Sequence, residues 1–268
     1  MQKWPMEKLL ILSLLLLSAC ATDIDYKIPA HRFMDPETRG SSLLSGEFSG
    51  FGQLSYQTDH KLTMSEVYDF GVFNESVNTG QALSRTTNLG LQAGLGIVPM
   101  VDVMLRQNGD SPSMLLAKIQ LIGAYALENK EGFKLALWGG AGSMEEDEGT
   151  LNVTRNNGSS RTYNGKIEVH PFELGMSAGY RFSDKALFYL NGTFARYPSK
   201  STLTSNINPT VIVEGDAELE AVALGVKLGE AKGVSAHIEV GASRVKWGDD
   251  IKIEQSIGTG AVAISLGL

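Results

Sequence analysis

From about residue 46 to the end of the chain, apolar side chains recur at every second position. Between 88 and 97 the alternation is unbroken: Leu89, Leu91, Ala93, Leu95 and Ile97 share one face, and Asn88, Gly90, Gln92, Gly94 and Gly96 share the other. A period of two belongs to a strand, because successive side chains leave a pleated backbone on opposite faces. The same pattern returns over 101–106, 115–122, 133–141, 172–180, 222–228, 234–242 and 262–268. Short connections are expected near 98–100, 128–132, 183–185 and 229–233, and long ones near 74–86, 106–112, 143–163, 198–215 and 248–257. Pro99 fits a turn, since proline cannot donate to a ladder. Segment 47–73 reads either as a hairpin or as one strand and a loop. Hairpins joined alternately by short and long links form an up-and-down barrel, and even strand numbers make the count ten or twelve.

Which face meets water separates a soluble barrel from a membrane barrel. The less apolar face carries Asp102, Arg106, Lys118, Glu173, Arg181, Lys227, His237 and Glu239, spaced among glycine and serine. A water-washed exterior would carry many more lysines and glutamates, so these eight residues are expected to form a charge network in a lumen. Glycine makes up 30 of the 268 residues and falls inside the alternating segments. A helical protein would lose roughly 1 kcal/mol at each such glycine. Phe133, Tyr180, Phe182 and Phe188 lie beside the short connections, and Tyr163, Phe172, Phe194, Tyr197 and Trp247 beside the long ones. Two such groups suit the two interfaces of a membrane. The expected fold is therefore all-β, an antiparallel transmembrane barrel of about 10–12 strands over residues 46–268.

The first twenty residues have a separate logic. Lys3 and Lys8 give a basic start, Leu9 to Leu17 are apolar except for Ser13, and small residues close the segment. This is the pattern of a signal peptide over residues 1–19. The apolar run is too short for a membrane-spanning helix, which needs about 20 residues. Leu17-Ser18-Ala19-Cys20 resembles the lipobox of bacterial lipoproteins. That resemblance implies cleavage before Cys20, a covalent lipid such as palmitate on its thiol, and, with Ala21 following, passage by the lipoprotein export machinery to the outer membrane. Residues 20–45, broken by Pro29 and Pro36, read as a periplasmic tether whose apolar Ile28, Phe33 and Met34 could fold back on the barrel end. The barrel itself resembles the small outer-membrane β-barrel families of Gram-negative bacteria. This implies outer-membrane lipid and the outer-membrane insertion machinery as partners. The chain finishes Ser265-Leu266-Gly267-Leu268, without the terminal aromatic usual in those families.

The formal charge is −7, and removing residues 1–19 takes it to near −8. Nucleic acid is excluded as a partner, because such binding relies on excess Lys and Arg. With a single cysteine there is no internal disulfide. His31, His60, His170 and His237 show no metal-ligand spacing, so no metal and no cofactor beyond the covalent lipid is expected. His237 and Glu239 share a face and, with Ser235 or Ser243, sketch a hydrolase triad; a hydrogen-bonded lumen network is the better reading. Glu145 to Glu148 reads as a solvated acidic loop rather than a calcium site. The expectation is a lipid-anchored, non-catalytic barrel with a structural or interaction role and a narrow, plugged lumen. The alternatives are a narrow channel for a small solute, an outer-membrane hydrolase, and a tethered soluble barrel holding an apolar ligand.

Overall fold

The computed structural model describes residues 20–43, 46–70, 75–154, 160–205, 211–248 and 253–268; the expected signal peptide lies outside the described residues. Twelve strands run in chain order: β1 (Cys20–Pro29), β2 (Gly50–Phe70), β3 (Glu75–Val98), β4 (Val101–Asn108), β5 (Ser113–Ile122), β6 (Gly132–Thr154), β7 (Ser160–Val169), β8 (Phe172–Ser183), β9 (Ala186–Ser205), β10 (Val211–Gly229), β11 (Gly233–Trp247) and β12 (Ile253–Gly267). A 3₁₀ turn, Ala126–Glu128, sits in the β5–β6 connection. Every neighbouring pair is antiparallel, and β12 closes on β2 through Ala261↔Gln57 to Gly267↔Phe51. The wall is a closed barrel of 10 strands with 2 extra strands.

The two extra strands arise for different reasons. β7 and β8 occupy one station of the wall: β6 pairs with β7 through residues 144–154 and with β8 through 132–141. His170-Pro171 interrupts them, because Pro171 has no N–H to donate. The break is bridged by Gly142 N–H to the Pro171 carbonyl at 2.9 Å and His170 N–H to the Pro198 carbonyl at 3.0 Å. β1 instead pairs with the far half of β2, Cys20↔Tyr68 to Pro29↔Asp59, on the side that β12 has left. The residues that follow, 30–41, are buried almost without interruption inside the barrel. The expected tether over 20–45 is corrected accordingly. Residues 28–39 of it are buried, and Arg32, Asp35, Glu37 and Arg39 find polar partners on the inner wall.

Two further expectations change. Segment 47–73 holds one 21-residue strand, β2; residues 71–73 lie outside the described residues. The expected long loops are largely strand, with β3 reaching 24 residues and β6 reaching 23. Crossing the hydrocarbon takes only about 9–11 residues, so these strands rise well beyond it.

The outward faces show where lipid lies. Leu54, Leu91, Leu105, Leu115, Leu137, Leu174, Leu190, Leu224, Val240 and Ile264, one on each wall strand, are all exposed. On β9, β11 and β3 the outward apolar run covers about nine residues. At about 3.3 Å per residue and a tilt near 40°, that gives roughly 23 Å, close to the apolar band of such barrels. Phe133, Tyr180, Phe182 and Phe188 are exposed at the short-turn rim. Ring centroids there lie 4.8 Å apart for Tyr180–Phe182 and 5.3 Å for Phe182–Phe188. At the other rim Phe172 and Phe194 face out, but Tyr197 and Trp247 are each 1% exposed and point inward, contrary to the girdle expected for them. The side chain of Tyr163 lies outside the described residues.

Tyr197 and Trp247 point inward because the polarity of the wall inverts along its length. On β10 the outward residues run Glu214, Asp216, Glu218, Glu220 and then Val222, Leu224, Val226, Leu228. Above the inversion, the interior is an apolar core of Tyr26, Ile28, Leu62, Ile167, Val169, Ala195, Tyr197, Ala217, Leu219, Val245 and Trp247. Its exterior carries cross-strand ion pairs, including Lys166–Glu145 at 2.7 Å and Arg244–Glu220 at 2.7 Å, and a pair within β7, Lys166–Glu168 at 2.8 Å. Hydrogen bonds that it donates to Glu145 and Glu168 hold the Lys166 ammonium above its ordinary range, and Lys166 holds the Glu168 carboxyl below its own. The long-loop half is thus built like a water-soluble barrel, and the short-turn half like a membrane barrel. β2 shows the change within one strand. Leu54 and Tyr56 face lipid, while Leu62 on the same side is fully buried after the strand turns inward with β1.

Glycines in the wall make room for large lumen side chains. A Cβ on Gly225 would lie 2.2 Å from Cζ of Tyr189, and one on Gly175 2.1 Å from Cζ2 of Trp138. Gly225→Ala should cost about 1–3 kcal/mol, the usual penalty of overpacking. Outward-facing Gly52 has nothing within 4 Å of such a Cβ. Chemical unfolding in detergent micelles should separate Gly225→Ala from Gly52→Ala.

Candidate functional site: a lumen filled by the N-terminal segment

The segment after β1 carries charges of both signs, Arg32, Asp35, Glu37 and Arg39, and the wall answers each in turn. The Arg32 guanidinium donates to both carboxylate oxygens of Glu173 on β8, Nε at 3.0 Å and Nη2 at 2.7 Å. Arg106 on β4 reaches the same carboxylate at 2.6 Å, and the Tyr197 hydroxyl donates to it at 2.6 Å. Beside this group, His31 Nδ1 lies 2.9 Å from Glu239 on β11, which also accepts from the Tyr189 hydroxyl at 3.0 Å. One step toward the short turns, Asp35 pairs with Lys118 on β5 at 3.2 Å and Lys227 on β10 at 2.6 Å. Glu37 accepts from Arg181 Nε at 2.7 Å and lies 3.5 Å from Lys134. The backbone N–H of Arg39 donates to both Asp102 oxygens, at 3.0 and 3.1 Å.

Apolar contacts fill the gaps between these layers. Met34 packs with Met104, Met114, Leu116 and Trp138. Phe33 packs on Ala261 and Ala263. Its ring sits 6.3 Å from that of His237, edge-on at 90°. Phe33 takes φ 50°, a left-handed conformation rare for a bulky residue, and its carbonyl accepts the Asp35 N–H at 3.2 Å. The surrounding contacts hold this strained turn. The space left between segment and wall beside Asp35, Asp102, Lys118, Lys227 and His237 is about 30 Å³. That is room for a water or two and no more.

All eight residues singled out from the sequence as lumen charges are buried and face inward. Seven join ion pairs or carboxylate hydrogen bonds. His237 stands apart, with neither ring nitrogen hydrogen-bonded. The triad sketched around it does not assemble: Glu239 is taken by His31 and Tyr189, and Ser243 lies 2.8 Å from His60 Nε2 instead. His60 Nδ1 is 2.8 Å from Gln255 Oε1, and His60 is fully buried in the upper core. Glu145 is paired with Lys166, while the side chains of Asp147 and Glu148 lie outside the described residues. Sequence reasoning missed the other half of the network, which is Arg32, Asp35, Glu37, Arg39 and Lys134. The available signal was charge alternating with Ile28, Phe33 and Met34 across a stretch with two prolines. A solvated linker has no use for that combination.

No family model matches the sequence, and no curated protein matches it. Among solved structures the chain is similar to the outer-membrane expressed OmpT of Vibrio cholerae, at 9% identity and a TM-score of 0.19, over 83% of this chain and 98% of that one. A similarity that slight carries no argument. The closed strand order, the outward apolar belt and the ionised interior themselves define a β-barrel membrane protein of the outer-membrane type.

Proposed function

We propose that this is an outer-membrane β-barrel lipoprotein, acylated at Cys20, whose lumen is closed by its own N-terminal segment and whose role is structural or interactive rather than catalytic. One observation carries the reading. The barrel axis is occupied from Ile28 to Arg39 by side chains that pair with β4, β5, β6, β8, β10 and β11. A permeation path would need a polar gap wide enough for a hydrated solute, and the space beside Asp35, Lys118 and His237 takes only one or two waters. The burial of Ser243 and His60 inside the upper core supports a structural part for that pair as well.

The test is electrical. Full-length protein reconstituted in planar bilayers should give no sustained conductance steps. A chain lacking residues 21–41 that keeps its strand content should conduct. Sustained steps from the full-length protein would favour a narrow channel instead. For the lipid, labelled palmitate should be incorporated by the wild type and lost in Cys20→Ala.

A further inference from the structure

We infer that the mature chain presents its amino end on the outer face of the membrane, so that the acyl group of the proposed anchor starts on the outer-leaflet side. The topological half rests on the path of the chain; only the lipid half rests on the acylation reading above.

The path is fixed at both ends. At the short-turn end, Thr38 and Arg39 touch three connections and the last residue of the chain. Thr38 Oγ1 donates to the Pro99 carbonyl at 2.8 Å, and the Thr38 carbonyl accepts the Ala126 N–H at 2.9 Å. The Arg39 guanidinium donates to the carbonyls of Ala231 at 2.8 Å and Leu268 at 3.4 Å. At the long-loop end, Lys27 N–H donates to the Asp110 carbonyl in the β4–β5 loop at 3.1 Å, and its ammonium meets the Asp110 carboxylate at 2.8 Å. Cys20 then pairs with Tyr68, two residues before β2 ends. Short turns of such barrels face the periplasm and long loops face outward. The chain therefore enters at the outer end and leaves at the inner one.

A tether held in the periplasmic leaflet would run the other way. The segment's charges meanwhile hold it to β4, β5, β6, β8, β10 and β11. The amino end then offers the cell exterior a feature that a conventional periplasmic anchor would hide.

The test uses full-length protein in intact Gram-negative cells. An epitope between Ala21 and Thr22 should bind an impermeant antibody, as should one after Gly248, whereas one between Asp184 and Lys185 should bind only after permeabilisation. A 21/22 epitope that stays hidden while the Gly248 epitope is exposed overturns the inference. An independent check that does not disturb the amino end is Lys27→Cys with Asp110→Cys in a Cys20→Ala background. Oxidation should close a disulfide, seen as faster migration on a non-reducing gel, because a backbone hydrogen bond sets the two residues within bonding range. Absence of that link in folded protein also overturns the inference. An exposed 21/22 epitope without palmitate incorporation would support the topology and overturn the anchor. Palmitate incorporation with the epitope hidden would do the reverse.

Discussion

Glu173→Ala should lower the unfolding free energy of the barrel by about 3–5 kcal/mol, the cost of breaking a buried ionic group by removing one member. The carboxylate is 1% exposed and is shared by Arg32 and Arg106, with the Tyr197 hydroxyl donating to it as well. Its loss strands two guanidinium groups at membrane depth, where neither water nor another acid replaces it. The intact group is not in itself a large source of stability, because desolvation offsets most of the attraction. The triple change Arg32→Met, Arg106→Met, Glu173→Leu should therefore recover most of what Glu173→Ala loses. Denaturant unfolding in detergent micelles measures both. If Glu173→Ala proves as stable as wild type, segment 30–41 does not sit where the ion pairs place it.

Leu224→Arg should cost about 2–4 kcal/mol in a bilayer, the penalty for a cation facing lipid near the midplane. Ile212→Arg, on the same face of the same strand, should stay within about 0.5 kcal/mol, as at an ordinary surface site. The two side chains are similarly exposed, at 63% and 52%. Only the polarity inversion between Glu220 and Val222 separates them. Unfolding of vesicle-reconstituted protein should resolve the difference. Equal costs at the two positions would mean that the apolar belt has been misplaced.

The short-turn half of the wall was legible from the sequence because each strand there contrasts strongly on its two faces. Leu224 and Leu228 against Gly225 and Lys227, or Ile238 and Val240 against His237 and Glu239, leave little choice of orientation. The long-loop half was obscured because its code is reversed and weak. On β10, acidic Glu214, Asp216, Glu218 and Glu220 alternate with small Gly215, Ala217 and Ala221, and this resembles a polar loop unless a water-facing strand is considered. On β6 the run Glu145-Glu146-Asp147-Glu148 hides its alternation altogether. Within residues 30–41, Phe33 and Met34 hinted at packing on the barrel end, but the charged positions were missed for a different reason. They have no period of their own, because the wall around them dictates their conformation. Arg32 and Glu37 gain meaning only beside Glu173 and Arg181, which lie 141 and 144 positions further along the chain.

The most direct test is collision accessibility of single nitroxide labels on β10 in lipid vesicles. A label at 224 should meet dissolved oxygen readily and a water-soluble nickel chelate rarely. A label at 218 should show the opposite preference, and one at 219, inside the core, should meet neither. A label at 224 shielded from oxygen, or one at 219 open to it, would contradict a wall that turns its leucines to lipid and fills its interior with its own amino-terminal segment.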